Sequence, residues 1–225
     1  ILLENNEEIE NENEPEKKSV DQHNSLFLAG SESLLEFGNN LNETLTNISY
    51  LDFHYRSKHP YLIDFSNAAF YGKRLVPIPA KSRYQPIRFI QVDGLYQDAS
   101  NLAEAEKVIE VIRTEILPYK NGRYPSLGIA TFNMTQRNLI KDLIYSTVVK
   151  DKVFREKMDL INQTEEWFVK NLENIQGDER DIIIISTTFG INKNERFIQN
   201  FGPLNNFERG YKLLNVIITR AKKKL

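Results

Sequence analysis

Apolar residues along this chain fall alternately at helical spacing and in short unbroken runs, which predicts helices interleaved with strands. Leu51-Asp52-Phe53-His54-Tyr55 alternates and predicts a short strand. After Pro60, the residues Leu62, Ile63, Phe65, Ala69 and Phe70 are spaced for the buried face of a helix. Residues 77–86 predict a loop, and Ile87 to Val92 a strand ending at Asp93-Gly94. Asn101 and Glu104 have the spacing of a capping box. Behind them Leu102, Ala105, Val108, Ile109 and Ile112 mark the inner face of a helix running to about Ile116, with Pro118 beyond its end. Ser126–Phe132 predicts a strand, Thr135–Ile144 a helix, Asp151–Leu160 a charged helix and Trp167–Leu172 a further strand. A short helix around Glu32–Phe37 comes before all of these, and Leu213–Arg220 fits helix or strand by pattern.

The run from Asn174 to Ser186 is the most informative. A polar turn, Gln176-Gly177-Asp178-Glu179, leads directly into four consecutive isoleucines, Ile182 to Ile185. β-Branched side chains are stiff at χ1 and favour the pleated sheet. A strand with no polar alternation is buried on both faces, which is the habit of a parallel sheet. Strands alternating with helices around it predict an α/β fold.

Composition adds three points. Residues 1–24 are Glu/Asn-rich and predict an acidic flexible arm or insertion, leaving 25–225 as the folded domain. Seven glutamates and no Lys or Arg fall within residues 1–16, so the formal charge of −2 for the whole chain becomes +5 over the remainder. That surplus permits nucleic-acid binding without arguing for it. Cysteine is absent, which excludes disulfides and thiolate metal sites and suits a reducing, cytoplasmic setting. No apolar run approaches the ~20 residues that a membrane helix needs. The chain opens Ile1-Leu2-Leu3-Glu4, without an initiator Met, and reads as a piece of a longer protein.

Three polar clusters stand at element ends, where α/β folds place ligands at the carboxyl ends of strands. They are His54 to Pro60, Gln176 to Glu179, and Asn215 to Lys222. Each alone has a plain reading: a surface arginine, an ordinary Gln-Gly turn, a solvated basic end. His54 and His59 have no carboxylate or Cys partner at ligand spacing, and no metal site is expected on them.

In order, however, the clusters resemble superfamily 1 helicases. Tyr55-Arg56-Ser57-x-x-Pro60, then Leu62 and Phe65-Ser66-Asn67-x-x-Phe70-Tyr71, resembles motif IV. Gln176-Gly177-x-Glu179-x-Asp181 with its apolar strand resembles motif V, and Asn215-Val216-x-x-Thr219-Arg220-Ala221-Lys222 motif VI. Asn101-x-x-Glu104-Ala105 and Gly128-Ile129-x-Thr131-Phe132-Asn133-x-x-Gln136 fit between them. The resemblance spans about residues 30–225 and is closest to the branch of the nonsense-mediated-decay RNA helicase and its bacterial relatives.

The resemblance implies a RecA-like P-loop NTPase fold, a parallel sheet flanked by helices, here lacking its own Walker A loop: no Gly-x-x-x-x-Gly-Lys-Ser/Thr occurs. It implies the second of two RecA-like domains, with ATP and Mg²⁺ held mainly by the first. Arg56 and Arg220 would then reach the γ-phosphate. Gln176, Gly177 and Glu179 would contact the nucleotide, and Tyr55 would stack near the adenine. Asn67, Asn133 and Thr187 would touch single-stranded DNA or RNA, and Gln136 would lie near the surface between the domains. Motif V usually opens Thr-Val-Asp; this chain has Asn171-Leu172-Glu173, an amide where a hydroxyl is expected. The strand that usually follows motif VI is expected to be missing. Two other readings stay open: a non-catalytic helicase-like module that binds nucleic acid or protein, and a purely structural α/β domain.

Overall fold

The computed structural model describes residues 49–80, 83–198 and 200–225, together with 34, 37 and 38. The acidic arm expected at 1–24 lies outside the described residues. Leu34 and Phe37, within the expected short helix, are helical. Residues 52–225 form one compact unit.

Four strands make the main sheet: β3 (Leu127–Thr131), β4 (Phe168–Asn171), β5 (Arg180–Ser186) and β6 (Ala221–Lys224). They are all parallel, in the order β4-β3-β5-β6. A separate parallel pair joins β1 (Phe53–His54) to β2 (Val76–Pro77). The expected strand at 51–55 is thus shorter, and its partner comes from the start of the expected loop.

Five helices cover the main sheet. On one face lie α2 (Leu102–Thr114), α3 (Met134–Lys150) and α4 (Lys152–Thr164); on the other lie α1 (Tyr61–Phe70) and α5 (Gly210–Ile218). The isoleucine run explains this double cover. Ile182 and Ile184 pack with the α2–α4 core, whereas Ile183 and Ile185 pack with Leu62 of α1 and Ile217 of α5. Alternate side chains of a strand point to opposite faces, so an unbroken apolar strand needs cover on both. Gly128 in β3 is fixed by the same crowding: a Cβ there would lie 2.5 Å from the Phe168 ring and 2.7 Å from Ile183.

Local signals set the helix ends. Asn101, Asn133 and Asp151 each accept a hydrogen bond from the backbone N–H three residues on, at 3.1, 2.8 and 3.0 Å. Asp151 also ends α3, so the helix expected at 135–144 continues to Lys150 before α4 begins. The ambiguous segment at 213–220 is helix α5 up to Ile218, and β6 follows it where no strand was expected. The segment before it decides the matter, because Leu213 N–H already bonds the Arg209 carbonyl in a helical turn.

Three expectations fail on packing. Ile87–Val92 forms no strand: Arg88 N–H donates to the Leu225 carbonyl (2.9 Å) and Leu225 N–H to the Pro86 carbonyl (2.7 Å), and the pairing goes no further. On α1, Leu62, Ile63 and Ser66 are the buried residues, while Ala69 is exposed and Phe65, 52% exposed, leans edge-on against Phe70. Leu102, the first residue of α2, is exposed as well.

Candidate functional site

The residues expected to form a site divide between the two ends of β5, a strand of seven residues and so about 20 Å long. Glu179 directly precedes β5 and Arg220 directly precedes β6. Because the strands are parallel, both residues lie at the amino edge of the sheet, not at the carboxyl edge that the general rule suggested.

The amino edge gathers cations around one carboxylate. Arg56 Nε donates to Glu179 Oε2 at 2.7 Å, and Lys222 Nζ pairs with Glu179 Oε1 at 3.1 Å. The segment carrying Arg56 is held against the outer edge of β6, where Lys58 N–H donates to the Lys222 carbonyl at 2.7 Å. Arg220 is clamped through the C-terminus of α5. Its Nε donates to the Val216 carbonyl (2.8 Å) and a terminal nitrogen to Thr219 Oγ1 (3.1 Å). Among the described residues no carboxylate comes within salt-bridge distance of Arg220. Burial, then the nearby charge of Arg56, pushes the Arg220 guanidinium below its ordinary value, and it stays charged at neutral pH. Burial alone would raise the Glu179 carboxyl; hydrogen bonds and charge from Arg56 and Lys222 outweigh it and hold Glu179 below the usual carboxylate range. Asp178 is occupied separately by Lys170, at 2.6 Å. The edge therefore presents three cations, Arg56, Arg220 and Lys222, of which Arg56 and Lys222 pair with Glu179.

The turn before β5 shapes this edge. Gly177 adopts φ +91°, which an L side chain would resist, and nothing stands within 4 Å of where its Cβ would be. Gln176 beside it is exposed. Tyr55 is 70% exposed next to Arg56, with its ring open to solvent. The histidines are used by the backbone. His54 Nε2 accepts from Ser57 N–H at 3.2 Å, and His59 Nδ1 accepts from Tyr61 N–H at 3.2 Å, at the start of α1. Among the described residues no group of three or more His, Asp or Glu could hold a metal ion.

The carboxyl edge holds a polar knot. Gln136 is fully buried, not at a surface: its Oε1 accepts from Asn101 N–H (2.8 Å), and its Nε2 donates to the Asn101 carbonyl and to Ser186 Oγ (both 3.1 Å). Glu104 does not return to Asn101 as a capping box would. One carboxylate oxygen accepts from Thr187 N–H at 2.6 Å and the other from Thr188 N–H at 2.8 Å. Burial raises the Glu104 carboxyl, and hydrogen bonds from Ser186, Thr187 and Thr188 offset only part of the rise. Thr187 is exposed on this edge, and Asn133 is half-buried, with its Nδ2 unpaired. Asn67 stands apart from both groups: its amide brackets the main chain of Leu75, accepting at 2.9 Å and donating at 2.8 Å.

Lys222 went unassigned in the sequence. Its signal was its place in the run Thr219-Arg220-Ala221-Lys222, two residues after Arg220. Glu104 carried a helix-cap signal that concealed its long-range partner.

A parallel α/β sheet flanked by helices is consistent with a RecA-like P-loop NTPase fold. The chain belongs to the AAA domain family, whose model matches residues 31–225. It is 36% identical over 200 residues to a Mycoplasma genitalium protein named as an uncharacterized ATP-dependent helicase, MG140; the match covers 87% of this chain and 17% of that protein. The MG140 homolog of Mycoplasma pneumoniae is equally similar, 36% identical over 200 residues with the same coverage. The chain thus spans 17% of the length of the curated relatives it matches, and it is a helicase-family domain related to ATP-dependent helicases.

Proposed function

We propose that this chain is the second RecA-like domain of an ATP-dependent superfamily 1 helicase, in the branch of the nonsense-mediated-decay RNA helicase and its bacterial relatives. It supplies arginine fingers to ATP bound on a first domain and grips single-stranded nucleic acid. The observation that carries this reading is the charge at the amino edge. Two cations, Arg56 and Lys222, pair with the Glu179 carboxylate there, and a third, Arg220, is fixed near them by backbone and hydroxyl contacts, not by an acid. Such an excess of positive charge suits an anion with more than one negative charge, and a triphosphate end is one.

ATP, when bound, supplies the phosphoryl group whose transfer to water releases the energy for movement. The role of this chain is electrostatic. Arg220 offers a guanidinium whose position is set before any substrate arrives, so little reorganisation is needed as charge builds on the phosphoryl oxygens. Arg56, aligned by Glu179, lies close enough to Arg220 for their charges to interact, and would act on the same phosphoryl oxygens. Gly177 keeps the wall low enough for a nucleotide to approach the backbone, and Tyr55 offers a ring for the adenine. The metal ligands belong to the first domain. Single-stranded nucleic acid runs over the carboxyl edge, past Asn133 and Thr187, bound mainly through its phosphates and hence weakened by salt.

A site shared with another domain should do nothing by itself. Purified residues 1–225, given saturating ATP, Mg²⁺ and oligonucleotide, should show no ATP turnover above background. Turnover that disappears in the Arg220→Ala form of the same fragment would mean that the chain contains a complete site.

A further inference from the structure

The proposed nucleic-acid edge depends on the loop that leaves β5, and that loop is held by a residue from a different element. We infer that Glu104 is the positioning residue for the Thr187–Thr188 segment, acting through its bidentate bond to those two backbone amides to set the strand-binding edge. This inference rests on the reading that single-stranded nucleic acid crosses the carboxyl edge of the sheet.

The geometry is specific. The two oxygens of Glu104 take the two successive N–H groups at 2.6 and 2.8 Å, across 83 residues of sequence or more. A carboxylate accepting backbone N–H groups forms charge-assisted bonds, stronger than neutral ones. Thr188 adopts φ +73°, a conformation that a β-branched residue resists, so the turn needs outside support to persist. Successive amides turned to one point form a concavity that selects an anion, and Glu104 fills it from within the chain. The support is itself anchored. Asn101 caps α2 one turn before Glu104, and buried Gln136 ties Asn101 to Ser186, the last residue of β5. The starts of α2 and α3 and the end of β5 are thereby locked together, with Thr187 exposed just past the lock. Both amides are taken by Glu104, and the hydroxyl of exposed Thr187 also donates to Glu104 Oε1, at a long 3.5 Å.

The test is made in the full-length protein with a fluorescein-labelled oligothymidine and its oligouridine counterpart. Glu104→Gln keeps the size but loses the charge and one acceptor. Glu104→Asp keeps the charge but is too short to span both amides, and serves if the first variant folds poorly. Each should weaken oligonucleotide binding roughly tenfold, the order expected for loss of a charge-assisted hydrogen bond. The oligonucleotide concentration for half-maximal ATPase stimulation should rise equally, while kcat at saturating oligonucleotide is retained. Hydrogen exchange at the Thr187 and Thr188 amides should accelerate. A purely structural role would lower Tm without moving oligonucleotide affinity, so affinity within twofold of wild type in a folded variant overturns the inference. If the wild-type protein binds neither oligonucleotide, the functional reading fails first and the inference with it.

Discussion

Replacing Arg220 with alanine in the full-length protein should lower the kcat for ATP hydrolysis by about 10³-fold or more, with ATP affinity little changed. Fixed guanidinium groups at transferring phosphoryl groups are worth about 10³–10⁵ in rate. They act on charge that develops in the transition state, so their loss appears in kcat and not in binding. The structure adds a reason to expect the full effect. Arg220 is held at the end of α5 by the Val216 carbonyl and Thr219 Oγ1, so its position precedes the nucleotide. Arg220→Lys should recover little, because an ammonium has neither the planar fork nor the reach to keep both holding contacts. Steady-state kinetics of the three proteins checks this. Weakened ATP binding with normal kcat would place Arg220 in ground-state recognition instead.

The second large effect is on stability. Gln136→Leu should destabilise the fold by about 2–3 kcal/mol, measured by urea unfolding, even though leucine suits a buried helix position of similar size. The substitution removes the acceptor of Asn101 N–H at a fully buried place. A buried donor left without a partner costs about 1–3 kcal/mol, and the bond to Ser186 Oγ is lost as well. The other losses are softer, since the Asn101 carbonyl still accepts from Ala105 N–H. A change below about 1 kcal/mol would mean that water reaches this knot and takes over the bonds.

Why the sequence disclosed some of this and not the rest follows from the range of the interactions. Ile182–Ile185 announced a doubly covered parallel strand because the pattern of a strand reports the two faces it packs against. Asn101 announced a helix start because a cap acts over three residues. Glu104 looked like the other half of that cap, and local spacing held no sign that its carboxylate would cross to Thr187 and Thr188. Gln136 was matched to its motif and expected near the surface between the domains; only the arrival of Asn101 and Ser186 at its amide accounts for its burial. Ile87–Val92 carried a strand pattern without a partner edge long enough to pair with. Leu213–Arg220 was undecidable because a short apolar run fits either period, and the turn begun at Arg209 settled it.

The candidate site was readable as a set of residues but not as a place. Arg56, Glu179 and Arg220 lie near one another, with Lys222 beside them. Their end of the sheet was misjudged, because the carboxyl-end rule describes ligands cradled by the turns that follow strands. Here the charged residues stand in the turns that precede β5 and β6. Asn133 and Thr187 do lie at the carboxyl edge, so the two groups of expected residues sit about 20 Å apart along β5. Asn67 spends its amide on Leu75, and its part in the proposed grip would be to hold the chain after α1.

The central claim is that Arg56 and Arg220 act on a nucleotide held by another domain. The most direct test is trapping of ADP with aluminium fluoride by the full-length protein, which mimics the transferring phosphoryl group. Wild type should retain labelled ADP in a slowly exchanging complex. Arg56→Ala and Arg220→Ala should each bind ADP alone normally and fail to form that complex. Trapping by both variants at the wild-type level would contradict the account.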